Sequence, residues 1–235
     1  RQTLTHAADN QICDSSYDSR NTWNGLSDFG RKVVREMNKI GMMIDVSHCT
    51  DKTFYDILKI TNKPLVATHS SPRKFTPNFE RNMSDNMIKD LASNNGLIML
   101  NFGSGFISEQ SNKSFGDINS KVEKYKIENN LKDSDKKILK YKDDLINTVK
   151  PFASINDFVD TIDHVKELVG IDHIGLGSDF EGLGNTLPYD LKDASTYPNI
   201  LYKLLEREYS QIEIKKICSD NLFRVWNANL QNRQI

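Results

Sequence analysis

Little in this chain marks a specialised environment. No stretch reaches the roughly 18 apolar residues that a membrane-spanning helix requires. Lys and Arg total 31 against 32 Asp and Glu, a formal charge of -1, and no basic stripe carries interleaved aromatics. A nucleic-acid partner is therefore not expected. The three cysteines, Cys13, Cys49 and Cys218, have no C-x-x-C spacing. That argues against both a disulfide framework and a zinc knuckle, and leaves the redox compartment open. There is no internal repeat of the kind that builds a solenoid. No G-x-S-x-G elbow surrounds Ser70 or Ser71. Gly175-Leu176-Gly177 begins like a dinucleotide loop, but position 180, where a third glycine belongs, is Phe. The chain starts without Met or a signal sequence, so an upstream leader or anchor is neither indicated nor excluded.

What is present is 235 residues at 37% hydrophobic and 27% charged, enough for one large α/β domain or two small ones. The informative stretch is 42–71. Met42-Met43-Ile44-Asp45-Val46-Ser47-His48 and Pro64-Leu65-Val66-Ala67-Thr68-His69 are short apolar runs, each ending in histidine. Between them, 51–61 has helical spacing, with Phe54, Ile57 and Leu58 on one stripe and Lys52, Asp56 and Lys59 off it. A strand–helix–strand crossover makes the strands parallel. Neighbouring strands lie about 4.8 Å apart, so both imidazoles should leave one sheet edge side by side. One metal ion could then accept both. The alternative is that each His bonds a loop carbonyl.

In chain order, 3–6 is another short run ending in His6, followed by a polar loop over 7–27. Ser27 reads as the N-cap of a helix over 28–40 whose stripe is Phe29, Val33, Val34, Met37 and Ile40, closed by Gly41. Ser84 caps a helix with Met87, Ile88 and Leu91; 97–102 reads as a strand buried on both faces. Residues 109–150 are rich in Lys, Asp, Glu and Asn and read as an inserted, solvated helical excursion unable to bury a core. A helix over 155–169 buries Phe158, Ile162, Val165 and Leu168, and a strand over 173–179 follows. The tail holds helices near 196–207, with Leu201, Leu204 and Leu205, then 210–218, with Ile212, Ile214 and Ile217, then 219–230. Five parallel β units result, at 3–6, 42–48, 65–69, 97–102 and 173–179. In a (β/α)8 barrel the chemistry sits at the C-terminal ends of strands, and here four of five runs end in His6, His48, His69 and Asp179.

Each candidate has two readings. Asp179 is either the N-cap of the next helix or a carboxylate that carries a water's proton. His6 either satisfies a strand end or donates to a developing oxyanion. Arg81 is either solvated or a bidentate grip on a carboxylate. His164 and His173 read as structural, and Cys49 should point to the face opposite His48.

Taken together, Leu4-Thr5-His6, Gly25-Leu26-Ser27-Asp28-Phe29-Gly30, Val33-Val34-Arg35-Glu36-Met37-Asn38, Ile44-Asp45-Val46-Ser47-His48, Thr68-His69-Ser70-Ser71, Arg81-Asn82 and Gly175 to Gly182 resemble the membrane (renal) dipeptidase family. The resemblance runs in family order over nearly the whole chain, and even the charged insertion is similar to that of bacterial members. It implies a TIM-like (β/α)8 metallohydrolase barrel, of which this chain supplies about the last five βα units and C-terminal helices. It implies two zinc ions and attack on a dipeptide by the hydroxide they share. His48 and His69 would bind one zinc, and His6 and Arg81 would hold the dipeptide, with Arg81 on its C-terminal carboxylate. Asp179 would bind substrate and relay protons. Where the family reads Asp-Phe-Asp-Gly, this chain has Asp179-Phe180-Glu181-Gly182. The family's His-x-Asp and bridging Glu have no counterpart here. The zinc site is therefore expected to need a further barrel segment as partner, from the same gene or a companion chain. The resemblance also favours a periplasmic, secreted or membrane-associated location and leaves room for a homodimer.

Overall fold

Each apolar run anticipated as a strand enters one sheet, though most contribute fewer residues than expected. In the computed structural model, which describes residues 1–231 and 233, β1 is Gln2–Thr3, β2 Ile44–Asp45, β3 Val66–Ser70, β4 Leu97–Leu100 and β5 Ile174–Leu176. Every pairing is parallel, and the sheet order follows the chain, β1-β2-β3-β4-β5. The runs 3–6, 42–48 and 173–179 are shortened at their C-terminal ends. His48 (φ 71°) and Asp179 (φ 55°) adopt left-handed backbone, which ends extended structure. After β1 the chain turns: Thr5 Oγ1 donates to the Ala8 carbonyl, and Asn10 Nδ2 to that of Leu4. His6, His48 and Asp179 thus lie a few residues beyond their strands, while His69 stays within β3.

The helices start where the caps place them. Ser27 accepts from the Gly30 N–H to open α1 (Asp28–Ile40), and Gly41, at φ 76°, closes it. The buried face of α1 is Gly30, Val34 and Met37; Phe29 and Ile40 are exposed, contrary to the expected stripe. The helix docks through Gly30, where a Cβ would sit 2.2 Å from the Ile12 carbonyl oxygen. α2 (Asp51–Leu58) buries Phe54 and Ile57 as anticipated, but also Asp56, which was placed off the stripe. The Asp56 carboxylate accepts from the Leu26 N–H and pairs with Lys52, so it anchors the preceding loop. α3 is Asp85–Ser93, and α7 (Ile155–Val169) opens with a reciprocal Ser154–Asp157 capping box. Burying Phe158, Val159, Ile162 and Val165 contributes about 1.5–3 kcal/mol each. These helices share one core with Ile44, Ala67, Ile98 and Ile174 of the sheet.

The tail supplies α9 (Tyr197–Glu206), α10 (Gln211–Lys215), a π-helical turn over Lys216–Asp220 and α11 (Asn221–Leu230). Leu205 and Ile212, expected inside, are exposed; Ile200, Leu204 and Ile217 take the core positions. On the opposite sheet face Met43, Val66 and Leu97 pack with Val225 and Leu222 of α11. Between β4 and α7 lie α4 (Ser104–Ile107), α5 (Glu109–Glu128) and α6 (Lys136–Val149), and α8 (Phe180–Leu183) follows β5. The insertion does bury a small seam, against expectation. Ile118, Ile138 and Ile146 are buried, and Tyr125 and Tyr141 stack at 4.2 Å. Among the described residues no helix is long and apolar enough to cross a membrane.

Candidate active site

His48 and His69 converge. Their Nε2 atoms face one another at 2.9 Å. A chain of buried polar groups sets the tautomer of His69. Thr68 Oγ1 donates its only proton to Asp45 Oδ2, so at 2.8 Å it must accept from His69 Nδ1–H. That leaves His69 Nε2 with a bare lone pair, the form a metal ligand needs. Asp45 is fully buried and also accepts from the backbone N–H groups of Ser47 and Thr68. Burial alone would push its carboxyl up, yet these hydrogen bonds hold it below the usual range. Burial pushes His48 down to about 2, helped by Arg81, His69 and His6, and lowers His69 too. Both rings are therefore neutral at neutral pH, as coordination requires. His48 Nδ1 is buried without a partner. The pair fits two ligand positions of a metal. Among the described residues no third His, Cys, Asp or Glu joins them.

The remaining candidates surround this pair. Arg81 is only 3% exposed, yet it forms no ion pair among the described residues. Its guanidinium donates to two neutral oxygens, Ser70 Oγ at 2.8 Å and the His69 carbonyl at 2.7 Å, and Nε has no partner. Burial lowers its pKa against the pull of Tyr17, Asp45 and Asp179, but a guanidinium stays charged. The site thus holds a buried cation without a counter-ion, an arrangement that favours an anionic ligand. The His6 ring is exposed and sits 4.4 Å from that of His48, and the Tyr17 ring is 5.8 Å from His48.

Asp179 stands at the N-cap position of α8 but makes no side-chain cap bond. Its Oδ2 accepts instead from Asn101 Nδ2 at 3.1 Å, and Asn101 is itself oriented by accepting from Gly103 N–H. The neighbouring glycines are close-approach positions. A Cβ on Gly177 would lie 2.2 Å from the Thr68 carbonyl oxygen, and one on Gly182 would lie 2.4 Å from Asp179 Oδ1. His69 and Asp179 share the wall of a cavity of about 560 Å³ with Met99 and Trp226.

Sequence reasoning passed over Asn101, Tyr17 and the roles of Asp45 and Thr68. An acid inside an apolar strand run, Ile44-Asp45-Val46, was the available signal for Asp45, since a buried carboxylate must be paired. His164 bonds Asp85 and His173 bonds the Gly96 carbonyl, so both are structural. Cys49 is buried in the core together with Cys13. The polar loop over 7–27 is ordered by carboxylates. Asp9 accepts from the N–H groups of Ser15 and Thr22, and Asp14 from those of Trp23 and Gly25.

The chain is similar in sequence and in fold to known proteins. The sequence profile described as membrane dipeptidase, peptidase family M19, matches residues 1–234. Dipeptidase tcpJ of Claviceps purpurea is 33% identical over 223 residues, which are 95% of this chain and 43% of that protein. The chain therefore spans less than half the length of that curated relative. The probable dipeptidase PvdM from Pseudomonas aeruginosa superposes with a TM-score of 0.80 at 24% identity, covering 98% of this chain and 62% of PvdM. A metallopeptidase from Rhodobacter sphaeroides, solved with a phosphinate mimic of the dipeptide L-Ala-D-Ala, gives 0.67 at 24% identity, over 87% of this chain and 47% of that one. These likenesses show the fold, consecutive βα units of a TIM-like barrel. With the profile matched along almost its whole length, the chain belongs to the membrane dipeptidase family, peptidase family M19.

Proposed function

We propose that this chain supplies the substrate-holding part of a zinc-dependent dipeptidase, and that a further barrel segment completes the metal site. The observation that carries the reading is Arg81, a buried cation with no ion pair among the described residues, beside two neutral imidazoles whose Nε2 atoms face each other. His48 and His69 would hold one zinc. Bound there, zinc supplies Lewis acidity, which makes water a stronger acid and polarises a carbonyl. Arg81 binds the C-terminal carboxylate of the dipeptide and so fixes the distance from that terminus to the scissile bond. Asp179, oriented by Asn101, takes a proton from the attacking water and delivers it to the departing amine nitrogen as the C–N bond breaks. His6 lies at the exposed edge, where it can donate to the carbonyl oxygen as negative charge develops.

The test is metal content in the full-length protein. His48→Ala and His69→Ala should each lower bound zinc while unfolding stays cooperative, because coordination and not core packing is lost. Unchanged zinc in both variants refutes the ligand assignment.

A further inference from the structure

The charged insertion does more than occupy solvent. Along α5, Asn112, Phe115, Gly116 and Asn119 recur at helical spacing, and together they wall a cavity of about 400 Å³. Facing them are Tyr17, Phe79, Phe106 and Leu183, from four other segments of the chain. The rings form a path leading from the histidine pair. Tyr17 is 5.8 Å from His48, Phe79 is 6.2 Å from Tyr17, and Phe106 is 5.4 Å from Phe79. Phe106 in turn lies under the Arg81 guanidinium at 5.4 Å. Gly182, packed against the Asp179 carboxylate, lines the cavity as well. The cavity therefore adjoins both Arg81, through Phe106, and Asp179, through Gly182.

We infer that this cavity is a subsite for the side chain of the dipeptide's C-terminal residue, selective for large apolar or aromatic groups, with the α5 face as its outer wall. The inference rests on Arg81 holding the C-terminal carboxylate. In an amino acid the side chain leaves the carbon next to the carboxylate, so a carboxylate on Arg81 sets that side chain beside Phe106. None of the residues lining the cavity is Asp, Glu, Lys, Arg or His. A charged side chain entering it would lose water and gain no counter-ion, whereas Phe or Leu would bury apolar surface against four aromatic rings.

Gly116 offers a clean probe. A Cβ there meets nothing within 4 Å, and replacing glycine inside a helix favours the helix. Gly116→Leu adds bulk at a position that lines the cavity, and Gly116→Ala adds only a methyl group. In the full-length protein, kcat/KM is measured on glycyl-phenylalanine, phenylalanyl-glycine and glycyl-glycine, with Tm recorded for each variant. Gly116→Leu should lose at least about tenfold on glycyl-phenylalanine and stay within about twofold on the other two, as expected when a hydrophobic pocket is filled. Gly116→Ala should follow wild type, and neither Tm should fall. An equal change on all three substrates, an unchanged preference, or a loss confined to phenylalanyl-glycine overturns the subsite. If wild type cleaves none of the three, it is the dipeptidase reading itself that fails, and the subsite with it.

Discussion

Arg81→Ala is the perturbation that probes the site most directly. The side chain is nearly inaccessible, carries its charge without an ion pair among the described residues, and points two donors at neutral oxygens. A substrate carboxylate bound there is desolvated, and leaving it unpaired costs on the order of 2–5 kcal/mol. At about 1.4 kcal/mol per decade, that is a loss of roughly 30-fold to several thousand-fold in kcat/KM on a dipeptide. The structure adds a second cost that must be separated from the first. Arg81 also tethers the carbonyl of His69 and the hydroxyl of Ser70, and hydrogen bonds from a charged donor are worth about 1.5–3 kcal/mol each. Arg81→Ala should therefore lower Tm as well. Arg81→Lys, which presents a point charge and no planar fork, should recover only part of either loss. The assay that separates the two effects compares a dipeptide with its C-terminal amide. The amide has no carboxylate to lose, so wild type and Arg81→Ala should cleave it equally slowly. If the variant slows both substrates by the same factor, Arg81 acts only by holding the end of β3, and the clamp is refuted.

Asp179→Asn should lower kcat by at least about 10²-fold, the lower range for general acid–base catalysis, while stability stays within error. Because no cap bond exists to lose, a drop of about 1 kcal/mol in stability with activity retained would count against the proton-carrier role. At the other end of the fold, Lys166 Nζ (2.7 Å) and the Ser210 N–H and hydroxyl pull the Glu213 carboxyl down to about 2. A depressed folded-state value stabilises the protein above the ordinary carboxylate range, near pH 4.5, and that stabilisation fades as pH falls toward 2. Glu213→Gln should accordingly lower Tm at pH 7 and converge with wild type as pH approaches 2. A Tm gap that persists unchanged to pH 2 contradicts the linkage.

What was legible from sequence is what depends on neighbours along the chain. Ser27, Ser84 and Ser154 open their helices because a capping hydroxyl reaches N–H groups only three residues away. The parallel order of the strands follows from the helical crossovers between them, and that order is enough to bring His48, His69 and Asp179 to one side of the sheet. Helix stripes were read less well at their margins. Periodicity locates a face but not its partner, so Phe29, Ile40, Leu205 and Ile212 proved exposed while Asp56 proved buried. The chemistry of the site came only from tertiary structure. The tautomer of His69 depends on Asp45, 24 positions earlier, and the orientation of Asp179 depends on Asn101 at the end of another strand. A lone loop arginine reads as solvated in any sequence. Only the fold buries Arg81 with no carboxylate of the described residues paired to it, because burial and pairing are set by segments that meet in space and leave no local pattern.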